Sequence, residues 1–338
     1  MFVRQYTVAV VGATGAVGQT MLNMLEERNF PVGTLVPLAS SRSAGRQIGF
    51  KDQALTIQEA RPEAFDGVDL ALFSAGTDIS RRLAPEAVKR GAVVVDNSNA
   101  FRMEAEVPLV VPEVNPEAVR NHQGLIANPN CSTIQMLVAL KPLHDHAQIK
   151  RVVVSTYQAV SGTGLEAIAE LHDQSQRLLA GEKVEPKVYP YQIAFNVLPH
   201  IDTFDDTGYT LEEWKMVRET QKVMGPGIAV TATTVRVPVS YGHSEAVNIE
   251  TKHKLSPETA REILKSAPGV LVFDDPSHLK YPLPTLAAGR DEVFVGRIRE
   301  DFSIANGLNL WIVADNVRKG AALNGVQIAE LLIQDGLL

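Results

Sequence analysis

The stretch Thr7-Val8-Ala9-Val10-Val11-Gly12-Ala13-Thr14-Gly15-Ala16-Val17-Gly18 decides the fold of this chain. Its first five residues form a continuous run rich in β-branched side chains, which predicts a buried parallel strand. Helical periodicity begins at Val17 and continues through Met21, Leu22 and Leu25. A strand, a G-x-x-G-x-x-G turn and a helix together are a variant of the dinucleotide-binding fingerprint, whose glycines let the backbone approach a pyrophosphate at the helix N-terminus. We therefore predict that residues 12–18 bind a cofactor; a plain tight turn is the alternative.

The end of the second predicted strand bears on which cofactor binds. Leu35–Ala39 is followed by Ser40, Ser41, Arg42 and Ser43, where NAD enzymes usually carry an acidic residue for the ribose hydroxyls. Hydroxyls and an arginine instead suit a 2′-phosphate. The prediction is NADP, bound in part by these four residues, against the alternative that Arg42 is a solvated loop charge.

Two further buried strands complete the first domain. They are predicted at Val68–Gly76 and Ala92–Asp96, with a crossover helix over Ser80–Arg90. Alternating strands and helices predict a doubly wound, Rossmann-like sheet. The segment after the later strand contains Arg102 and lies at the carboxyl edge, where ligands bind in such sheets.

The single cysteine, Cys131, lies in the stretch Asn128-Pro129-Asn130-Cys131-Ser132-Thr133. A short strand precedes it, and apolar residues at helical spacing follow it until Lys141-Pro142, where we expect the helix to stop. With Asn130 as the N-cap, Cys131 falls in the first turn, where the helix dipole favours the thiolate. The pattern favours a nucleophile over an ordinary buried cysteine.

The pattern changes after Pro142. Long strands are predicted at Arg151–Tyr157, Ile228–Val239, Ala246–Lys252 and Leu308–Ala314, and helices at Leu165–Ala180, Leu211–Met224 and Pro257–Ser266. His243 is expected in the turn 240–243. We predict an α+β domain with an antiparallel or mixed sheet, inserted into the first domain. The expected bounds are 1–130 for the NADP-binding domain, 131–315 for the inserted domain, and 316–338 for a C-terminal helix returning to the first domain.

Composition excludes several classes of protein. The net charge is −7 and no Lys/Arg run occurs, so no nucleic-acid face is expected. No apolar stretch reaches the ~18 residues of a membrane span, and the first residues lead into a strand rather than a signal peptide. One cysteine rules out an internal disulfide framework and suits a reducing cytoplasm. No His/Cys/Asp cluster has metal-ligand spacing, so we infer no metal.

Five motifs together resemble the aspartate-semialdehyde dehydrogenase family, particularly its bacterial members. They are residues 12–18, residues 128–133, Tyr157-Gln158-Ala159-Val160-Ser161-Gly162, Glu212-Glu213-Trp214-Lys215 and Arg236-Val237-Pro238-Val239-Ser240-Tyr241-Gly242-His243. The resemblance covers nearly the whole chain. It implies NADPH-dependent conversion of aspartyl β-phosphate to aspartate β-semialdehyde with release of phosphate, a step that supplies lysine, methionine and threonine synthesis.

The resemblance also implies roles for individual residues. Cys131 would be the nucleophile, His243 the acid/base and Gln158 an orienting substrate contact. Substrate and phosphate would be held by Arg102, Asn130, Glu212, Lys215 and Arg236, and the cofactor also by Ser161, Gly162 and Asn316. Family members are homodimers or dimers of dimers through the second domain, so the resemblance implies that residues 131–315 are the catalytic and dimerisation domain.

Some of these roles depend on the resemblance alone. From spacing, Glu212 and Lys215 would be an exposed i,i+3 ion pair, and His243 a surface histidine. Cys131 is the one residue able to form a reducible thioester. The rival functions are N-acetyl-glutamyl-phosphate reductase, glyceraldehyde-phosphate dehydrogenase, and a catalytically silent NADP-binding regulator.

Overall fold

A computed structural model describes residues 4–338 of the chain. Met1–Val3, which the sequence analysis placed before the first strand, lie outside the described residues. The strands are β1 (Tyr6–Val11), β2 (Val32–Ala39), β3 (Gln47–Phe50), β4 (Gln53–Thr56), β5 (Gln58–Glu59), β6 (Leu70–Phe73), β7 (Val93–Asp96), β8 (Leu125–Ala127), β9 (Ile149–Gln158), β10 (Ala229–Arg236), β11 (His243–Thr251), β12 (Val270–Val272), β13 (Val293–Asp301) and β14 (Gly307–Ala314). The helices are α1 (Ala16–Glu27), α2 (Thr77–Lys89), α3 (Cys131–Ala147), α4 (Leu165–Leu179), α5 (Leu211–Met224), α6 (Pro257–Lys265), α7 (Pro284–Ala287) and α8 (Leu323–Gln334).

The first compact unit comprises the chain up to Asn130 together with Ala321–Leu338. Its sheet has the order β5-β2-β1-β6-β7-β8, and every pairing is parallel. The order reverses between β1 and β6, which creates a crevice at their carboxyl ends. The helix α8 packs against α1 within this unit. A β3–β4 hairpin, which the sequence analysis did not identify, also belongs to it.

The second unit, Cys131–Gly320, is built on a mixed sheet. The order is β10-β9-β11-β14-β13-β12; the two outer pairs are parallel and the three inner pairs antiparallel. The predicted fold class, a Rossmann-like doubly wound domain with an inserted mixed-sheet domain, is confirmed. The strand β13 was not predicted.

The expected end of α3 at Pro142 is wrong, since the helix continues to Ala147. Proline removes one helical N–H and costs about 3 kcal/mol in a helix interior. Leu143 and Ala147 beyond it are fully buried. Their packing keeps the last turn helical despite the proline.

The expected position of His243 in a turn is also wrong, because it is the first residue of β11 and is paired with Ala314. The turn ends one residue earlier at Gly242, whose φ of +93° is a conformation that glycine adopts readily. His243 is therefore held by the sheet ladder.

Within residues 4–338, the structure has no helix both long and apolar enough to cross a membrane. The same residues contain no cluster of three or more His, Cys, Asp or Glu that could ligate a metal ion.

Candidate active site

The crevice of the first unit contains a cavity of about 510 Å³. Gly12 and Gly15 of the glycine turn line it, with Ser40 and Ser41 after β2. A methyl group on Gly12 would lie 2.4 Å from the Ser74 carbonyl oxygen, so the turn can pack this tightly only with glycine there. Of the predicted cofactor residues of the first unit, Gly12, Thr14, Gly15, Ser40 and Ser41 line this cavity, whereas Ala13, Ala16, Val17, Gly18, Arg42 and Ser43 are not among its lining residues.

Two charged residues that the sequence analysis missed also line this cavity. Arg82 reaches it from α2, and Glu59 reaches it from β5. Glu59 pairs with Ala39, at the end of β2. An acidic side chain therefore does lie near the expected ribose position, but it comes from the neighbouring strand, which a motif search along β2 does not reveal. Arg42 is exposed in the loop after β2.

Arg102 lies at the carboxyl edge of the same sheet and is buried. Its Nε donates to the carbonyl oxygen of Asn128, and its Nη2 donates to that of Asn97, both at 2.9 Å. Asn97 and Asn128 directly follow β7 and β8. The guanidinium is therefore fixed by backbone acceptors at the ends of two adjacent strands. Asn130 is also buried.

In the second unit, the strand register places three predicted residues in one row. Arg236 pairs with Gln158 across β10 and β9, while Ser244 pairs with Tyr157 across β11 and β9, so that His243 continues the row beside Gln158. Residues in register on neighbouring strands project to the same face of a sheet. All three side chains of the row are buried.

The nucleophile candidate begins the helix that is tied to this row. Cys131 is half-buried, is not part of a disulfide bond, and is the first residue of α3. The Gln158 amide donates to the hydroxyl of the adjacent Ser132 at 2.9 Å. A methyl group on Gly320 would lie 2.9 Å from the Cys131 Cβ, so a glycine is required where this backbone passes the cysteine.

His243 is buried completely and its ring is oriented by the backbone. The N–H of Ala159 donates to Nδ1 at 3.0 Å, which leaves the proton of the neutral ring on Nε2. Burial, followed by the positive charge of Arg236, lowers the pKa of His243 to about 3, although Glu212 opposes the shift. The ring therefore presents an N–H donor to the site.

Arg236 is fixed on the same side of the site. Its Nη1 donates to the Ala159 carbonyl oxygen at 2.7 Å, while its buried Nε has no hydrogen-bond partner within residues 4–338. The ring of Tyr189 lies 5.9 Å from the guanidinium carbon, a contact that the sequence analysis missed. A methyl group on Gly162 would come within 3.1 Å of Nη1 and 3.3 Å of the His243 Nε2. Gly162 thus borders the space between the two side chains.

Glu212 and Lys215 do form an ion pair, but the expectation from spacing that it lies on the surface is wrong. Glu212 is only 5% exposed, and its two oxygens accept from Gln158 at 3.2 Å and from Lys215 at 3.0 Å. Lys215 also donates to Asp202 at 2.8 Å. Burial lowers the pKa of Lys215, but Glu212 and Asp202 more than offset this, and the pKa is raised. The pair belongs to the same polar cluster as Gln158.

Asn316 follows β14 and contacts two other segments. Its side chain exchanges hydrogen bonds with Ser161, and its Oδ1 accepts from the N–H of Gly242 at 3.0 Å. Both Ser161 and Asn316 are buried. The second unit therefore brings together Cys131, Gln158, Glu212, Lys215, Arg236, His243 and the predicted Ser161–Gly162–Asn316 contacts, whereas Arg102 and the glycine turn belong to the first unit.

Two family models match the chain. The description "Semialdehyde dehydrogenase, NAD binding domain" applies to residues 7–122, and "Semialdehyde dehydrogenase, dimerisation domain" to residues 140–319. The aspartate-semialdehyde dehydrogenase of Aquifex aeolicus (strain VF5) is 58% identical over 98% of this chain and 99% of its own length.

Solved structures of aspartate-semialdehyde dehydrogenases are also similar to this chain. Aspartate semialdehyde dehydrogenase II of Vibrio cholerae, complexed with ASA, has a TM-score of 0.96 and 50% identity over 98% of this chain and 99% of its own. Aspartate semialdehyde dehydrogenase from Candida albicans, solved with NADP, has a TM-score of 0.79 and 26% identity over 99% of this chain and 100% of its own.

Proposed function

Since this chain belongs to the aspartate-semialdehyde dehydrogenase family and is an oxidoreductase with a nicotinamide-binding domain, we propose that it reduces L-aspartyl 4-phosphate to L-aspartate 4-semialdehyde with NADPH. The observation that carries the proposal is the row Arg236–Gln158–His243, with Cys131 at the start of the helix bonded to it through Ser132. These groups supply the nucleophile, donor and anion-binding site that acyl transfer requires.

In the first step the Cys131 sulfur forms a bond to the acyl carbon. The bond from that carbon to the phosphate oxygen breaks, phosphate leaves with the electron pair, and a thioester remains. The Nε2–H of the neutral His243 ring is suited to stabilise the oxyanion of each tetrahedral intermediate by donating a hydrogen bond to it. Collapse after reduction breaks the C–S bond and returns the Cys131 thiolate.

The bound nicotinamide supplies the hydride that reduces the thioester. On this chain, the backbone of residues 12–18 is suited to the pyrophosphate, and Ser161, Gly162 and Asn316 to the nicotinamide end. NADP preference is proposed from Ser40, Ser41, Arg42 and Ser43, with Arg82 as a further cation on the cavity wall. Glu59 opposes that preference, since its carboxylate repels a 2′-phosphate.

The substrate is dianionic or more, and the proposed site offers fixed cations for it. Arg236 has an unused buried Nε and forms a fork suited to the α-carboxylate, with Glu212 near the amino group. Arg102 and Lys215 are proposed to hold phosphate. Because Lys215 is already paired with two carboxylates, its interaction with phosphate has to compete with them.

We also propose that the protein is a homodimer or a dimer of dimers, located in the cytoplasm. The dimerisation-domain match over 140–319 and the exposed Tyr191, Phe195 and Val197 of that unit support the first proposal. The single cysteine suits a reducing compartment. Light scattering during size-exclusion chromatography measures the mass directly, and a monomer at micromolar concentration would contradict the dimer.

The function is tested by following NADP reduction with aspartate semialdehyde, with and without phosphate. Turnover should require phosphate, and N-acetylglutamate semialdehyde should not replace the substrate. Arg42→Ala should reduce the ratio of kcat/KM for NADP to that for NAD by roughly tenfold, the loss of one charge-assisted contact. Equal efficiencies with both cofactors in the unmodified protein would contradict the NADP assignment, and absence of turnover would contradict the function.

A further inference from the structure

Glu245 is a fully buried carboxyl group that the proposed reaction does not use. Within residues 4–338, neither of its oxygens has a hydrogen-bond partner of ordinary geometry. Burial raises the pKa of Glu245 well above its usual value, with the Gln135 amide opposing this in part. A carboxyl in such surroundings retains its proton, and a neutral acid is a hydrogen-bond donor as well as an acceptor.

Glu245 lies directly behind the candidate catalytic row. It is two residues from His243 on β11, so both side chains project to the same face. Its partner across β9 is Thr156, which in turn pairs with Thr234 on β10. All three are buried, whereas the next row back is apolar. A second polar row in the core costs free energy unless its groups are paired, so its presence requires an explanation.

Gln135 connects Glu245 to the active-site elements. It lies on α3, four residues and about one helical turn after Cys131. Its Nε2 donates to the carbonyl oxygen of His243 at 3.3 Å. Its Oε1 is buried without a hydrogen-bond partner among residues 4–338, which leaves it available to accept a hydrogen bond from the protonated Glu245. The protonated acid can thus donate to Gln135 while Gln135 donates to the His243 backbone.

We propose that the Glu245 carboxyl group and the Gln135 amide form a positioning pair that ties the Cys131 end of α3 to the His243 end of β11. The proposal rests on the function proposed above, in which these two ends carry the nucleophile and the hydrogen-bond donor to the oxyanion. A displacement of about 1 Å between reacting groups can cost 10²-fold in rate. The pair acts through Cys131 and His243 and touches no substrate.

Three variants separate the components of this pair. Glu245→Gln keeps an N–H donor of similar shape for the Gln135 oxygen, and Glu245→Met keeps the volume but removes the donor. Gln135→Met breaks the link from the other side and serves if Glu245→Met folds poorly. Ile249→Ala, in a fully buried position further along β11, is the control for lost core packing.

For each variant, kcat and the rate of Cys131 alkylation are measured together with the melting temperature. Glu245→Met and Gln135→Met should each lower kcat about tenfold with KM changed less than twofold, and should slow alkylation of Cys131 by iodoacetamide severalfold. Glu245→Gln should restore both rates to within about twofold of the unmodified protein. The double variant should be no slower than the worse single variant, because both changes break one link.

Other outcomes would overturn the pair. The proposal would be contradicted if Glu245→Met kept the kcat and alkylation rate of the unmodified protein, or if the two single effects multiplied in the double variant. It would also be contradicted if Glu245→Gln lowered both rates as much as Glu245→Met, or if Ile249→Ala did so at the same melting temperature. Failure of the proposed function is distinguishable, since the unmodified protein would then not turn over aspartate semialdehyde, while the alkylation rates still report on the pair.

Discussion

Replacing His243 should change how the stability of the second unit depends on pH. The imidazole is fully buried beside Arg236, and its pKa is lowered to about 3. Its Nδ1 already accepts the N–H of Ala159, so a second ring proton would place two donors against each other. The folded protein therefore resists protonation of this ring, whereas the unfolded chain takes up a proton near the ordinary pKa of about 6.5.

The sign and magnitude follow from this difference. Because the folded pKa lies below the unfolded one, the contribution to stability is present above pH 6.5 and is lost as the pH falls towards 3. A gap of about 3.5 pKa units corresponds to roughly 5 kcal/mol when fully expressed. Between pH 7.5 and pH 5.0 the same gap predicts a loss of about 2 kcal/mol from His243 alone.

The perturbation is His243→Gln, which retains an acceptor for the Ala159 N–H but cannot titrate. Both tryptophans, Trp214 and Trp311, belong to the second unit, so their fluorescence reports unfolding of the unit that contains His243. Guanidinium denaturation at pH 7.5 and 5.0 gives the free energy of unfolding for each protein. The unmodified protein should lose about 2 kcal/mol more than the variant over this interval, and groups common to both cancel in the comparison.

A direct measurement accompanies the denaturation. The ¹⁵N spectrum of labelled histidines, with His243 assigned by its absence in the variant, should show one ring with its proton on Nε2 and no titration above pH 5. Equal losses of stability in the two proteins would refute the reasoning, as would a His243 resonance that titrates near pH 6.5.

Three further predictions test the roles proposed for Cys131, Arg236 and the glycine turn. Cys131→Ala should abolish turnover, while its NADP affinity, measured by titration calorimetry, should stay within twofold of the unmodified protein. Mass spectrometry of the native enzyme quenched with acyl phosphate should show an adduct on Cys131. Activity in the variant would show that Cys131 is not the nucleophile. Arg236→Lys keeps the positive charge but loses the two-pronged guanidinium geometry that can hold a carboxylate. The loss of one charge-assisted hydrogen bond, about 1.5–3 kcal/mol, should lower kcat/KM for the semialdehyde roughly tenfold or more. NADP affinity, which should not change, is the control. An unchanged kcat/KM would remove Arg236 from the substrate site. Gly15 lines the cavity, and the methyl group added by Gly15→Ala would contact only the Gly12 carbonyl oxygen, at 3.4 Å. This variant should therefore weaken NADP binding with little change in melting temperature. In Gly18→Ala the added methyl would lie 2.1 Å from the same oxygen, so that variant should destabilise the fold. Unchanged NADP affinity in Gly15→Ala would contradict the assignment of the cavity.

The parts of the structure that the sequence predicted well depend on local signals. The run before Gly12 and the glycine turn lie within one strand–turn–helix segment, and the first turn of α3 follows from the pattern around Cys131. The continuation of α3 beyond Pro142 was missed because burial of the last turn is decided by residues far along the chain. Sequence patterns therefore placed the glycine turn and the helix that begins at Cys131.

Which residues of the second unit are buried could not be predicted from local sequence signals. Glu212 and His243 looked like surface residues because spacing describes a single element, while their exposure is set by the neighbours that β9 and α5 bring to them. Glu59 illustrates the same limit in the first unit, since it reaches the end of β2 only through the pairing with β5. The family resemblance implied roles for Glu212 and His243, but it did not point to Glu59, Arg82 or Glu245.

The register of β9 and β11 links the fold and the proposed chemistry. A slip of one residue would turn His243 and Glu245 to the opposite face of the sheet together, because side chains alternate along a strand. The apolar rows behind them, at Val247 and Ile249, would be turned out of the core by the same slip. Selection of the register by these apolar residues therefore also fixes the face to which His243 projects. The strand ends can then carry buried polar groups, since the core further along β11 already determines where they lie.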